Sequence, residues 1–193
     1  MNLVEIRPAG VADSAEIARL FLISSDGLAE YIWSRMAEPG ETAEQAGARR
    51  YARTGVAFSY ENCLLAVAAD GRVIGMTHSF PTDRDPNAVP EADPILRPYS
   101  ELEDHGSFYI SSIAVHEKWR NQGIGRRLMD ATNARARQLA RPRLSLICLE
   151  RNEGAMRFYR RLGFRELARR PLVPHPLLHY RDGDAVLMVR PVW

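Results

Sequence analysis

The chain has 193 residues, 46% apolar and 26% charged, with a formal net charge of +2, a composition that fits one soluble globular domain spanning residues 1–193. No run of eighteen apolar residues occurs, so no membrane span is expected, and the opening MNLVEIRPAG lacks the basic-then-apolar order of a signal peptide. Cys63 and Cys148 are the only cysteines; both lie in apolar runs and read as buried thiols in a reducing cytoplasm, not as a disulfide or metal pair.

Taken in order, alternation around Val4 and Ile6 predicts a first strand over residues 2–7. Asp13, with Glu16 three residues on, reads as the N-cap of a helix whose stripe is Ile17, Leu20, Phe21 and Ser24. Leu28, Ile32 and Met36 predict a second helix ending at Pro39-Gly40, and Thr42 caps a third reaching Tyr51. Residues 64–69 and 73–80 are strands joined by Asp70-Gly71, a hairpin signal because the tight turn needs positive φ. Residues 81–106 form a long proline-rich loop, the kind that is either a functional lid or a surface insertion. A strand over 108–115, a helix from Ile124 to Leu139, a strand over 144–149 and a helix over 153–161 follow. Asn152 caps that last helix and Gly163 ends it. Strands over 164–169 and 185–189 complete the order βαα(α)ββ-loop-βαβαββ, a mixed α/β domain rather than a regularly alternating one.

Charge is unevenly placed. Residues 81–105 carry seven acids (Asp83, Asp85, Glu91, Asp93, Glu101, Glu103, Asp104) against Arg84 and Arg97, and arginines dominate from Lys118, the single lysine, onward. Between the two lies Ser111 to Gly125, SSIAVHEKWRNQGIG: an apolar strand, a glycine-bearing turn and a helix start. That order favours phosphate, since the first-turn amides are unpaired and sit at the positive end of the helix dipole. Spacing excludes a P-loop, which needs GxxxxGK[ST], and a dinucleotide fingerprint, because Gly123 and Gly125 are followed by Arg126, Arg127 and Leu128 with no third glycine.

Two stretches, IAVHEKWRNQGIGRRLM (Ile113 to Met129) and NEGAMRFYRRLGF (Asn152 to Phe164), resemble the two signature motifs of the GNAT N-acetyltransferase superfamily. The resemblance implies a central mixed, mostly antiparallel sheet flanked by helices, and acetyl-CoA as cofactor. It implies that the strand Ile113-Ala114-Val115 pairs with the pantetheine arm and that Arg120, Asn121, Gln122, Gly123, Ile124, Gly125 and Arg126 hold the pyrophosphate. Asn152, Ala155 and Phe158 would line the pantetheine region, and Tyr159 would protonate the departing thiolate as general acid.

On the strand's Ile113/Val115 parity stand Ser107, Tyr109 and Ser111, none a neutral-pH base. Deprotonation is therefore expected through water held by Tyr109 and Ser111 to Glu103, Asp104 or His105. Tyr31, Trp33, His78 and Phe80 are the aromatic candidates for the acceptor wall. The expected partner is a small-molecule or protein amine, with the acidic segment favouring a cationic one, and a homodimer is compatible. No nucleic-acid or membrane partner is expected. A CoA-binding sensor or interaction module with weak chemistry is the alternative, supported by the missing strand carboxylate and opposed by Tyr159.

Overall fold

The computed structural model describes residues 4–193. Their elements are β1 (Val4–Pro8), α1 (Ser14–Ser24), α2 (Leu28–Ser34), α3 (Ala43–Tyr51), β2 (Cys63–Ala68), β3 (Val73–Pro81), α4 (Arg97–Ser100), β4 (Phe108–Val115), α5 (Ile124–Gln138), β5 (Arg143–Leu149), α6 (Glu153–Arg161), β6 (Arg165–Pro171) and β7 (Asp184–Pro191). The strands hydrogen-bond in the order β1-β2-β3-β4-β5-β7-β6. β1/β2, β2/β3, β5/β7 and β6/β7 are antiparallel and β4/β5 is parallel, the mixed sheet that the element order implies. Residues 2 and 3 of the expected first strand lie outside the described residues. Contacts divide the chain into one unit of residues up to 79 with 112–132 and a second of 80–111 with 133–193.

In the first unit the local signals act as their chemistry requires. Gly71 takes φ +84° in the hairpin, and its N–H donates to Ala68 O at 2.9 Å. Thr42 Oγ1 accepts from Gln45 N–H at 3.2 Å while Gln45 Oε1 accepts from Thr42 N–H at 2.8 Å, a reciprocal cap that satisfies two donors at the start of α3. Asp13 departs from its expected role. Its backbone is already helical and its side chain makes no cap bond. The carboxylate is instead held by both Arg7 guanidinium nitrogens, at 2.8 and 2.9 Å, and by Gly10 N–H at 2.7 Å. A two-pronged charged pair outcompetes a single amide, and Arg7 keeps the carboxyl below its usual range. α2 is also shorter than its apolar spacing suggested, ending at Ser34 and leaving Met36 exposed.

One face of this unit packs α1, α2 and α3 over Cys63, Leu65, Val67, Met76 and Ala114. The other packs Ile124 and Leu128 of α5 over Ala66, Ala68 and Ile74. Each fully buried aliphatic side chain here contributes about 1.5–3 kcal/mol. Both cysteines are buried thiols that form no disulfide.

The second unit gathers Leu102, Leu149, Leu172, Ala185 and Leu187 into its core. Residues 81–106 are fastened to it. Ile95 and Leu102 are buried, and Asp83, Glu101 and Asp104 pair with Arg141, Arg170 and Arg143. The acidic segment is thus a strapped loop, not a loose flap.

Packing around Gly47 gives a sharp test. A Cβ there would stand 2.4 Å from the Trp33 ring, so Gly47→Ala should destabilise the protein by about 1–3 kcal/mol in urea unfolding. Helix propensity alone would stabilise it by about 1 kcal/mol, and that outcome would show that α2 and α3 do not meet in this way.

Candidate active site

β4 alternates strictly. Phe108, Ile110, Ser112 and Ala114 are buried, while Tyr109, Ser111, Ile113 and Val115 are half-buried. In the first unit Ser112 Oγ meets Ser24 Oγ of α1 at 2.6 Å. Ile113 and Val115 turn to the other face, against the start of α5.

The chain then passes through a short 3-10 turn, Glu117–Trp119, before α5. Arg120 N–H donates to Glu117 O at 3.1 Å, and Arg120 Nε reaches back to Val115 O at 3.1 Å. Gln122 Nε2 donates to Lys118 O at 3.2 Å. Asn121 (φ +61°) and Gly123 (φ +77°) both take left-handed backbone, which reverses the chain within three residues. The helical ladder begins with Arg127 N–H to Gly123 O at 3.1 Å. The amides of Gly123, Ile124, Gly125 and Arg126 precede it and have no partner in the helix. A Cβ on Gly123 would meet nothing within 4 Å, so the space beside that glycine is open. Arg126 is exposed and lies 3.8 Å from Asp130; Arg127 donates to Val4 O.

In the second unit, Asn152 Oδ1 accepts from Ala155 N–H at 3.1 Å and so starts α6. Gly163, at φ +85°, ends it. Met156 is buried, and Phe158 and Tyr159 are half-buried with ring centroids 5.4 Å apart. Phe164 flanks Tyr159 at 5.8 Å. The Tyr109 ring lies 5.7 Å from Phe80, and burial, then the Glu103 and Tyr99 charges, push its hydroxyl above the ordinary phenol range. Ser107 is buried and bonded to Ser145 Oγ at 2.6 Å.

The three relay candidates separate here. Asp104 is clasped by Arg143 Nε at 2.6 Å and Nη2 at 2.5 Å, which takes both carboxylate oxygens and removes it as a base. His105 is exposed and offers its carbonyl to Arg143 at 3.5 Å. Glu103 is exposed, its charge adds to the rise at the Tyr109 hydroxyl, and no cation pairs with it among the described residues.

Tyr31, Trp33 and His78 are all buried in the first unit's core. Tyr31 accepts from Arg35 Nη1 at 3.1 Å, Trp33 lies 5.6 Å from Phe21, and His78 sits edge-on to Tyr51 at 5.1 Å. Nε2 of His78 donates to Ala57 O at 2.9 Å, leaving Nδ1 to face the Tyr51 hydroxyl at 3.4 Å. Such burial serves packing, and an acceptor wall built from these rings is not what the core presents. Two pairs had no sequence signal. Ser24 meets Ser112 across 88 residues, and Glu16 Oε1 meets His116 Nε2 at 2.8 Å across 100.

Solved acetyltransferase structures share this mixed seven-stranded sheet with its strand–turn–helix unit. A GCN5-related N-acetyltransferase from Kribbella flavida is 23% identical with TM-score 0.63, covering 97% of each chain. Ard1 from Thermoplasma volcanium is 21% identical with TM-score 0.63, covering 98% of each. A phosphinothricin acetyltransferase from Sinorhizobium meliloti, solved in complex with AcCoA, is 19% identical with TM-score 0.61, covering 98% of this chain and 88% of its own. No match is found among the curated proteins. The acetyltransferase (GNAT) family model matches residues 28–164, and the chain belongs to that family.

Burial raises both Tyr51 and Tyr109. A raised phenol contributes stability that is complete below the unfolded value of about 10 and is lost as pH climbs through the folded value. Spectrophotometric titration of the folded protein should leave at least two tyrosines, Tyr51 and Tyr109, un-ionised at about pH 11, to be released on unfolding. Tyr51→Phe and Tyr109→Phe should each remove one of them, whereas full phenolate formation below that pH would contradict their burial.

Proposed function

We propose that this protein is an acetyl-CoA-dependent N-acetyltransferase that acetylates a primary amine of a small molecule or protein. The observation that carries the reading is the turn from Arg120 to Gly123: two left-handed residues, with open space beside Gly123, followed by first-turn amides that the helix itself cannot pair. That is a fitting cradle for a diphosphate, in a chain of this family. The AcCoA complex of the phosphinothricin acetyltransferase supports the same cofactor.

Bound acetyl-CoA supplies an acetyl group activated as a thioester. Backbone groups of Ile113 and Val115 would pair with the pantetheine arm, as an added strand does. The amides from Asn121 through Arg126 would hold the pyrophosphate, with the Arg126 side chain within reach because it is exposed in the first turn. Asn152, which starts α6 through its Oδ1, would contact the pantetheine region. The Tyr159 hydroxyl would give a proton to the departing sulfur, which leaves more readily as a thiol than as a thiolate.

The amine must lose a proton, and Glu103 is the best-placed acid for it. It is exposed and its charge is felt at Tyr109, whereas Asp104 is fully engaged by Arg143. An exposed carboxylate near the Phe80–Tyr109 ring pair also suits a cationic acceptor, by charge and by attraction of the cation to the ring faces. The acidic segment as a whole gives weaker support, since three of its acids are spent on arginines.

Thiol release from acetyl-CoA over a panel of polyamines, aminoglycosides and peptide N-termini tests the assignment. A turnover well above hydrolysis is expected for at least one amine, and tight CoA binding with no turnover would favour the CoA-binding module. Tyr159→Phe should lower kcat by about 10²-fold or more with little change in KM for acetyl-CoA. Gly123→Ala, which forces a Cβ onto left-handed backbone at about 1–2 kcal/mol, should weaken CoA binding roughly tenfold with kcat less affected.

A further inference from the structure

The first unit contains a cavity of about 640 Å³ beside the turn that leads into α5, walled by Glu16, Val73, Ile74, His116 and Trp119, with Lys118 among its lining residues. Trp119 of the turn packs against the cluster of Ile74, Ile124 and Leu128, and the cavity opens beside it. The cavity side carries a polar contact, His116 Nε2 to Glu16 Oε1 at 2.8 Å. His116 is otherwise fixed by its backbone. Its N–H donates to Ile74 O of β3 at 2.9 Å, and its carbonyl accepts from Trp119 N–H at 2.8 Å, which closes the 3-10 turn. So the residue from which the whole turn hangs is tied to β3 on one side and to α1 on the other.

We propose that Glu16 is a positioning residue for the phosphate turn, acting through His116. The inference rests on the reading of residues 120–126 as the pyrophosphate site. Its physical content is that a loop whose amides must point at one ligand needs its root fixed in more than one direction. Packing of Trp119 holds one side, and on the cavity side a directional hydrogen bond does so. Other charges face the pair: Arg19 on α1, which reaches Glu16 at 3.3 Å and Glu44 of α3 at 2.8 Å, and Arg72, Glu117 and Lys118 around the cavity. Arg19 orients the Glu16 carboxylate; Arg72 is itself engaged by Asp70 at 2.7 Å.

The test uses the full chain and two readouts. Calorimetric titration with CoA should show affinity lowered roughly tenfold in Glu16→Ala and in His116→Ala, with the double variant no weaker than either single one, because the two act as one unit. Glu16→Gln keeps an acceptor oxygen for Nε2 and should restore binding to within about threefold of wild type. In the free protein, hydrogen exchange of residues 117–126 should quicken in both alanine variants and not in Glu16→Gln. Wild-type CoA affinity and unchanged exchange in Glu16→Ala would overturn the proposal, as would additive losses in the double variant. If the wild-type chain does not bind CoA, the functional reading fails, and the exchange data alone decide whether Glu16 orders the turn.

Discussion

Everything at this site depends on how β4 ends. A strand that pairs on both edges must stop, reverse and launch a helix within eight residues, and the backbone does so by placing Asn121 and Gly123 in the left-handed region. The strain falls on the residue types that bear it best. Glycine has no Cβ to clash, and asparagine is among the few others that visit this region routinely. The result is a helix whose first amides have no partner within the helix itself. At α3 and α6 a side chain meets one such amide: Thr42 accepts from Gln45 N–H and Asn152 from Ala155 N–H.

Charge pairing shapes the rest. Arginine, planar and able to bind a carboxylate with two parallel bonds, fixes Asp13 near the start of the chain and Asp104 and Asp83 in the second unit. These pairs decide which acids remain for chemistry. Asp104 is buried and held by Arg143, and Glu103 beside it in sequence is exposed, with its charge felt at Tyr109. A single arginine, Arg143, thus sets two adjacent carboxylates apart, one clasped and one left to solvent.

Features written within a few residues were legible in the sequence. The Asp70-Gly71 hairpin, the Thr42 cap, the Asn152-to-Gly163 helix and the β4–turn–α5 unit were all set by local backbone chemistry, and each occurs where its residues demand. What could not be read were pairings across long separations. Asp13 looked like a cap because Arg7's approach depends on how the chain folds back between them. Tyr31, Trp33 and His78 looked like an acceptor wall because no local pattern tells an aromatic that lines a pocket from one that fills a core. The loop over residues 81–106 looked free because its anchors Arg141, Arg143 and Arg170 come 35 or more residues after its end. The Glu16–His116 contact is of the same kind.

The account stands on the amides of residues 121–126 being the pyrophosphate site. Hydrogen exchange of that peptide, measured with and without saturating CoA, tests this most directly. The account predicts strong slowing there on adding CoA, and little slowing with pantetheine, which lacks the diphosphate. CoA binding that leaves those amides exchanging at the free rate would contradict it.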